Sequence, residues 1–311
     1  MSTHPTTLTQ SFVLACQQAA RAVAPWVGKG DKIAADQAAT DALRQGLAGA
    51  PMAGRVVIGE GERDEAPMLF IGEEIGQGAP HPQIDIAVDP LDGTTPAANG
   101  LQGAVCIAAF APRGQLLYAP DLYMEKLAFG PGLDLPPQAL DWSLDQLTAE
   151  SARQLGKDVN QLRVCALDRP RHEQQLSELA QMGVQLHLIQ DGDVLGALLT
   201  SLPQLVSSGS GGVDLYLGTG GAPEGVLAAA GLHALGGRML GRLVVQTQDQ
   251  RQRLQEMGWE DCEQILAGNQ LATANSCLVA TAVTDAPMLN AVTPDGATQT
   301  LVIDKTGARV V

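Results

Sequence analysis

The sequence predicts an α/β protein whose sheet is parallel or mixed and is covered by helices on both faces. In the second half of the chain, strand-like apolar runs alternate with helical segments, and this alternation is typical of such folds. The runs span residues 162–167, 184–189 and 213–217, and a helical segment spans residues 172–181. Polar residues follow each run, at the carboxyl end of a strand where open α/β sheets bind their ligands. A chain of 311 residues is long enough to bury a large core.

Two helices are predicted before the first strand. Apolar residues recur at helical spacing from Phe12 onward, and Gly28 and Gly30 end this pattern. A second helical stretch covers residues 37–47, and Asp36 stands at its start. From the residues alone, Asp36 is therefore a helix N-cap.

An acidic cluster follows each of the next two predicted strands. Residues 59–65 follow the apolar run 55–58, and an Asp-Pro-Leu-Asp-Gly-Thr sequence at residues 89–94 follows the run 84–88. If both strands end at one edge of a sheet, their carboxylates converge, and they take up protons unless cations lie among them. Oxygen ligands without a nearby His or Cys favour Mg²⁺ or Mn²⁺ over zinc.

This acidic pattern is typical of metal-dependent phosphatases. Two hard ions about 3.5–4 Å apart can hold the attacking and leaving oxygens of a phosphoryl displacement. For either cluster alone, a solvated acidic turn remains an alternative interpretation. An EF-hand calcium loop is excluded, because Leu91 and Gly93 occupy ligand positions and Gly100 occupies the position of the required glutamate.

Two further features predict local structure. Strand-like residues 103–110 and 115–118 flank Pro112-Arg113-Gly114, which predicts a β-hairpin. The Gly- and Pro-rich residues 130–137 are typical of a connection between two halves of a chain.

The glycine-rich residues 218–225 do not fit a nucleotide-binding motif. Pro223 occupies the position of the third glycine of a dinucleotide fingerprint, and no Gly-Lys-Ser/Thr completes a P-loop. Two interpretations stay open: a tight strand-to-helix turn, or an anion-binding loop before a predicted helix at residues 226–235.

The charge of the chain limits its partners. With a net charge of −15 and 3% aromatic residues, we expect no nucleic acid and no membrane as a partner. The same field opposes a phosphorylated substrate, so a phosphatase requires local cations: metal ions and basic residues such as Lys126, Arg169 and Arg171.

Cysteine usage and hydropathy lead us to expect a cytoplasmic protein. The five cysteines are odd in number, widely spaced and without a C-x-x-C pair, which is typical of buried residues in a reducing compartment. The N-terminus has no basic stretch before its apolar residues, and no apolar run is long enough to span a bilayer.

The Asp-Pro-x-Asp-Gly-Thr sequence resembles the signature of lithium-sensitive, metal-dependent phosphatases of sugar and inositol phosphates. Further segments narrow the resemblance to class II fructose-1,6-bisphosphatases of the GlpX type. They lie in order along nearly the whole chain, at residues 28–32, 35–36, 57–72, 119–126, 170–172, 191–193 and 220–225. The resemblance implies a layered α/β/α/β/α sandwich with mixed sheets covered by helices.

The resemblance also implies roles for individual residues. It places ligands for two or more Mn²⁺ or Mg²⁺ ions at Asp36, Glu60, Asp89, Asp92 and Glu224. It assigns catalysis, through the attacking water and the scissile phosphate, to Glu62, Asp64 and Thr94. It assigns substrate contacts to Asp92, Gly93, Thr94, Tyr123, Arg169, Pro170, Arg171, Asp191, Gly192, Asp193 and Gly221.

Three departures from the family pattern affect what the resemblance implies. The family usually has Glu where this chain has Asp92, and the side chain shorter by one methylene can change metal preference. Arg169 stands where Lys is expected, a change that keeps the charge but alters the geometry. The segment between Arg242 and Gly258 is shorter than expected, which affects subunit contacts and any effector site.

The implied reaction is hydrolysis of the 1-phosphate of D-fructose 1,6-bisphosphate, in gluconeogenesis or Calvin-type carbon metabolism. The alternatives are a sedoheptulose 1,7-bisphosphatase, a dual sugar bisphosphatase, and a non-catalytic sugar-phosphate sensor. We expect a metal-binding half at residues 1–155, a substrate-binding half at residues 156–311, and an active site between them. Self-association into a homodimer or homotetramer is also expected.

Overall fold

The structure is a computed structural model that describes residues 7–59, 69–202 and 212–311. Its helices are α1 Thr7–Val23, α2 Lys32–Ala48, α3 Thr94–Asn99, α4 Leu144–Leu155, α5 Glu173–Gln181, α6 Asp193–Leu198, α7 Ala222–Ala234 and α8 Gln248–Glu256. Its strands are β1 Ala53–Ile58, β2 Glu74–Ile75, β3 Gln83–Asp92, β4 Val105–Pro112, β5 Tyr123–Phe129, β6 Arg163–Leu167, β7 Gln185–Ile189, β8 Leu215–Gly221, β9 Arg238–Val244, β10 Leu266–Ala267, β11 Cys277–Ala282, β12 Thr300–Asp304 and β13 Gly307–Val310.

The strands form two mixed sheets. The seven-stranded sheet has the order β13-β12-β11-β4-β3-β1-β2, and the six-stranded sheet has the order β10-β9-β5-β8-β6-β7. Only β1 with β3 in the first sheet, and β6 with β7 and β8 in the second, pair in parallel among the described residues. Each sheet takes strands from both sides of residue 155, so the predicted halves share both sheets, and the division between them stays a prediction.

Helices and sheets alternate in five layers, so the predicted α/β fold is confirmed. Helices α1 and α2 pack on one face of the seven-stranded sheet, where Phe12, Leu43 and Ile86 belong to one buried apolar cluster. Helices α6 and α7 lie between the two sheets, and α7 touches strands of both. Helices α4 and α5 cover the far face of the six-stranded sheet through Leu147 and Leu179.

The apolar sequence of α7 explains its central position. Nearly every residue from Ala222 to Leu232 is buried, so the helix has no polar face to turn to solvent. Its N-terminus points to the edge where β8 ends, and it carries Glu224 in its first turn. The helix therefore begins four residues before the predicted start at residue 226, and this extension places a carboxylate at a buried helix end.

Helix α2 also begins earlier than predicted. It starts at Lys32, and the side chain of Asp31 accepts a hydrogen bond of 2.9 Å from the backbone N–H of Ala34. Asp31 is therefore the N-cap, and the assignment of that role to Asp36 is wrong. Asp36 lies inside the helix, where its carboxylate is available for another role.

The predicted hairpin across residues 112–114 is wrong. Strand β4 pairs with β3 and β11, and the residues that follow form only one isolated bridge, between Leu116 and Ala272. The buried carboxylate of Asp85 accepts hydrogen bonds from the N–H groups of Gly114 and Gln115, at 2.5 and 3.2 Å. These N–H groups are thus satisfied by a side chain, and the chain turns away without a hairpin partner.

Strand β3 is longer than its apolar run and contains both acidic residues of the signature. It continues to Asp92, with an irregular register against β4 between Asp89 and Asp92. Pro90 lies in this irregularity, where its missing N–H costs no ladder hydrogen bond. Both carboxylates are consequently fixed by a buried strand rather than by a loop.

Within residues 7–59, 69–202 and 212–311, no helix has both the length and the apolar character needed to cross a membrane.

Candidate active site

A cavity of about 190 Å³ opens where strands of the six-stranded sheet end, beside the end of β3. Most of the predicted substrate-contacting residues line this cavity. Its walls are formed by Asp92, Tyr123, Leu167, Arg169, Arg171, Asp191, Gly192, Asp193, Gly220, Gly221 and Glu224. The structure thus brings together segments that are up to about 130 residues apart in the chain. This agrees with the general location of ligand sites in open α/β sheets, beyond the carboxyl ends of the strands.

Among the predicted metal ligands, three have a buried carboxylate oxygen without a hydrogen-bond partner in the described part of the chain. These oxygens are Asp36 Oδ1, Asp92 Oδ2 and Glu224 Oε2. Burial raises the pKa of Asp36, and it raises the pKa of Glu224 to about 7. Burial, and then the neighbouring charges of Asp193 and Glu224, raise the pKa of Asp92 well above its usual range. Unsatisfied buried acceptors of this kind fit divalent cations with oxygen ligands.

The predicted metal ligands divide into two neighbourhoods. Asp92 and Glu224 line the cavity, and the charge of Glu224 raises the pKa of Asp92. Asp36 and Asp89 lie near the buried thiol of Cys106, since both charges raise its pKa after the larger effect of burial. Asp89 is 2% exposed, and its Oδ1 accepts a hydrogen bond of 3.1 Å from the N–H of Leu91.

The side chains within the described ranges do not form a closed group of three or more His, Cys, Asp and Glu ligands. Glu60, Glu62 and Asp64 lie outside the described residues. The donor set nevertheless fits hard cations, because every predicted ligand is a carboxylate and three of them have buried oxygens without donors.

The turn after β3 presents the signature's hydroxyl. Gly93 has φ of +89°, and a Cβ at this position would lie 2.9 Å from the carbonyl oxygen of Gly103. A glycine is therefore required here. The hydroxyl of Thr94 donates a hydrogen bond of 3.0 Å to the carbonyl oxygen of Leu91, so its oxygen keeps lone pairs for other donors.

Two arginines in the lining supply positive charge to the cavity. Arg169 donates to Asp191 at 2.6 Å. The Nε of Arg171 donates to the carbonyl oxygen of Thr219 at 2.8 Å, and its guanidinium lies 5.3 Å from the ring centre of Tyr123. Pro170 begins the short 3-10 turn between the two arginines. The arginines are held by carboxylate, backbone and ring contacts, and together they give the acidic cavity a basic wall.

Two glycines permit the close approach of side chains at the end of β8. A Cβ at Gly220 would lie 3.0 Å from Lys126 Nζ and would overlap the carboxylate of Asp193. A Cβ at Gly221 would overlap the carboxylate of Glu224. The glycine-rich segment is therefore a strand-to-helix turn whose small residues make room for charged groups.

Four residues at the site were not among the predicted metal ligands, catalytic residues or substrate contacts, although Lys126 was expected to supply local positive charge. Lys126 forms a buried ion pair with Asp193, and Tyr216 donates to the same carboxylate. Lys32 lowers the pKa of Asp191 by its charge, after the larger effects of burial and Arg169, so the start of α2 reaches this site. His172 joins two segments of the wall. A sequence signal for Lys126 is its alternation with the apolar residues Met124 and Ala128, and Lys32 and His172 lie in segments that resemble the family.

His172 connects the arginine turn to β8. Its Nδ1 lies 2.9 Å from the carbonyl oxygen of Leu167, and its Nε2 accepts a hydrogen bond of 2.9 Å from the N–H of Thr219. The ring is therefore neutral, with its proton on Nδ1. Burial lowers the pKa of His172, and the charges of Arg171 and Arg169 lower it further.

Acid is expected to weaken this connection. Because the pKa of His172 is lower in the folded than in the unfolded protein, its contribution to stability is present above pH 6.5 and is lost as the pH falls through the folded value. We predict that the melting temperature of the wild type falls more between pH 7.5 and pH 5 than that of His172→Asn. Parallel pH dependences of the two melting temperatures would contradict this role. Other titrating groups are common to both proteins and cancel in the comparison.

Comparisons with known proteins give a consistent result. Residues 6–310 match the family model for bacterial fructose-1,6-bisphosphatase, glpX-encoded. The chain is 39% identical to a D-fructose 1,6-bisphosphatase class 2/sedoheptulose 1,7-bisphosphatase of Synechococcus sp. (strain JA-3-3Ab), over 92% of this chain and 88% of the relative. It is also 39% identical to the protein of the same name from Trichodesmium erythraeum, over 92% of this chain and 89% of the relative. It is 38% identical to the fructose-1,6-bisphosphatase 1 class 2 of Escherichia coli, over 94% of this chain and 89% of the relative.

Proposed function

Because this chain belongs to the glpX-encoded family of bacterial fructose-1,6-bisphosphatases, we propose that it hydrolyses the 1-phosphate of D-fructose 1,6-bisphosphate to fructose 6-phosphate and phosphate. The protein is thus a phosphatase, and the resemblance found in its motifs is confirmed. The observation that carries the proposal is the pairing of two features in one cavity. Asp92 and Glu224, each with a buried carboxylate oxygen without a donor, and the two arginines Arg169 and Arg171 line the same cavity.

The cofactors proposed are two or more Mn²⁺ or Mg²⁺ ions. The ligands proposed for them are Asp36, Glu60, Asp89, Asp92 and Glu224. When bound, such ions neutralise charge on a transferring phosphoryl group and lower the pKa of water. The unsatisfied oxygens of Asp36, Asp92 and Glu224 support this assignment, since no described donor competes for them.

The remaining catalytic roles belong to the segment after β1 and to the turn after β3. We propose that Glu62 and Asp64 orient the attacking water and accept its proton. Thr94 is the first residue of α3, and we propose that its hydroxyl faces the scissile phosphate and helps to position the attacking water.

The basic wall anchors the other end of the substrate. Arg171 and Tyr123 are proposed to bind the phosphate that is not cleaved, with Arg169 beside them. Asp191 and Asp193 are proposed to accept hydrogen bonds from sugar hydroxyls. The remaining predicted substrate contacts, Gly93, Pro170, Gly192 and Gly221, supply backbone groups and close approach rather than side-chain chemistry.

Sedoheptulose 1,7-bisphosphate is the second candidate substrate. The cyanobacterial relatives carry both activities in their names, and both sugars present the same ketose end. We further propose a cytoplasmic enzyme of carbohydrate metabolism, in gluconeogenesis or a Calvin-type cycle, that assembles as a homodimer or homotetramer. Five buried free cysteines are consistent with a reducing compartment.

The substrate assignment is tested by phosphate release under Mn²⁺ and under Mg²⁺. The substrates compared are fructose 1,6-bisphosphate, sedoheptulose 1,7-bisphosphate and inositol 1-phosphate. We expect the ketose bisphosphates to be hydrolysed with a kcat/KM at least about 100-fold above that for the inositol ester, because only they engage the basic wall. Binding of the sugar bisphosphates without release of phosphate would instead indicate a sensor.

A further inference from the structure

A charged group lies beneath the cavity, in the apolar interior of the six-stranded sheet. Lys126 on β5 is 2% exposed and is the only buried lysine or arginine in the described part of the chain. Its Nζ lies 2.7 Å from Oδ2 of Asp193, the first residue of α6. Removing both charges from water is costly, so a buried pair of this kind points to a role beyond stability.

A second donor reaches the same oxygen. The hydroxyl of Tyr216, a fully buried residue on β8, donates to Asp193 Oδ2 at 3.2 Å. Oδ2 of Asp193 thus accepts hydrogen bonds from two buried donors. Its other oxygen, Oδ1, accepts no hydrogen bond from any described residue, and Asp193 lines the cavity. One oxygen is thus fixed by the protein, and the other is available to a ligand.

The surrounding backbone allows this lysine little freedom. A Cβ at Gly220 would lie 3.0 Å from Lys126 Nζ, and a Cβ at Gly225 would lie 3.4 Å from Lys126 Cε. Strand β8 and helix α7 therefore close around the side chain through glycines. Gly192, with φ of +83°, is the residue before Asp193 and turns the chain into α6.

We propose that Lys126, together with Tyr216, is a positioning residue that orients the Asp193 carboxylate as the acceptor for a sugar hydroxyl. By this role it sets the preference of the enzyme for phosphorylated sugars over simple phosphate. The inference rests on the proposed function, because it assumes a sugar phosphate in the cavity. A rival role is charge balance alone, since Lys126 also opposes the raised pKa values of Asp92 and Glu224.

Two inhibition constants separate these roles. Fructose 6-phosphate, the proposed product, needs the sugar-binding carboxylate, whereas inorganic phosphate does not. For Lys126→Met we expect KM for fructose 1,6-bisphosphate and Ki for fructose 6-phosphate to rise about 100-fold, as expected when a binding group moves by about 1 Å. Ki for inorganic phosphate should stay within about twofold of the wild-type value. Tyr216→Phe should change the same constants in the same direction by about tenfold.

A control is available in a second lysine–aspartate pair. Lys157 Nζ pairs with Asp214 Oδ1 at 2.5 Å, and neither residue lines the cavity. Lys157→Met is expected to leave both inhibition constants unchanged. Because Lys126→Met leaves a buried carboxylate without its partner, it can fail to fold. The double variant Lys126→Met/Asp193→Asn removes both charges and should melt close to the wild type while still binding fructose 6-phosphate weakly.

The outcomes distinguish the inference from the proposed function. If the wild type releases no phosphate from either ketose bisphosphate, the proposed function fails. If the wild type is active and folded Lys126→Met and Tyr216→Phe keep their affinity for fructose 6-phosphate, only the inference fails. Equal losses of affinity for fructose 6-phosphate and inorganic phosphate would also overturn it, because they would indicate charge balance alone.

Discussion

Replacing Glu224 with glutamine is expected to lower phosphate release by at least about 10³-fold without weakening the fold. The loss would follow from removing a proposed ligand for ions that, when bound, supply several kcal/mol of transition-state charge stabilisation. The amide keeps the volume and the packing of a buried side chain. It also removes a carboxylate whose Oε2 has no hydrogen-bond partner among the described residues.

The difference in stability between Glu224→Gln and the wild type should depend on pH. Burial raises the pKa of Glu224 from 4.5 to about 7. The folded, metal-free protein therefore holds this proton more tightly than the unfolded chain, and it loses stability as the pH rises from about 4.5 to 7. In chelator at pH 8, Glu224→Gln should melt above the wild type, and the difference should disappear toward pH 4.5. The exposed Glu260→Gln is the matched control, with wild-type activity and melting.

Two results would contradict the role of Glu224. Retained phosphate release in Glu224→Gln would remove the residue from the ligand set. A melting temperature below the wild-type value at pH 8 in chelator would mean that the carboxylate is satisfied in the metal-free protein.

Replacing Arg171 with glutamine is expected to raise KM for fructose 1,6-bisphosphate between about 10- and 100-fold. A hydrogen bond to a charged group contributes about 1.5–3 kcal/mol, and the bonds proposed for Arg171 are to the phosphate that is not cleaved. Because that phosphate does not react, kcat should change less than KM. Steady-state kinetics provide the test. Arg251→Gln, which removes an exposed ion pair with Glu263 at 3.6 Å, is the control.

An unchanged KM in Arg171→Gln would show that the basic wall does not hold the substrate. A drop in kcat with KM unchanged would place the arginine at the reacting phosphate instead. Either outcome would contradict the proposed contact between Arg171 and the phosphate that is not cleaved.

The fold class could be predicted from the sequence because period and composition are local signals. The strands at residues 162–167, 184–189 and 213–217 correspond to β6, β7 and β8 with shifts at their ends. The pairing partners could not be predicted in this manner. Strand β11 joins β4 across more than 160 residues, and no local pattern records such a contact.

The hairpin prediction failed for a related reason. Pro112-Arg113-Gly114 is a sound turn signal, but Asp85 on β3 satisfies the N–H groups that a hairpin partner would have used. The N-cap assignment failed more locally, since Asp31 and Asp36 are both acidic and stand five residues apart. Only the observed hydrogen bond to Ala34 distinguishes them.

The site could be predicted only as far as its signature residues. Asp89, Asp92 and the arginine turn follow apolar runs in the sequence and carry recognisable chemistry. Lys126, Tyr216 and His172 act through partners 67, 23 and 47 residues away, so their roles depend on tertiary structure. One usable signal existed: Lys126 shares the buried face of its strand with Met124 and Ala128, where a lysine requires a partner.

The most direct test of the central claim is phosphate release from fructose 1,6-bisphosphate by metal-free protein, before and after addition of Mn²⁺. Glu224→Gln is measured alongside the wild type. We expect no release in chelator, full recovery of the wild type with Mn²⁺, and no recovery of the variant. Equal release in chelator and in Mn²⁺, or recovery of the variant to the wild-type rate, would contradict a carboxylate-bound metal centre at this cavity.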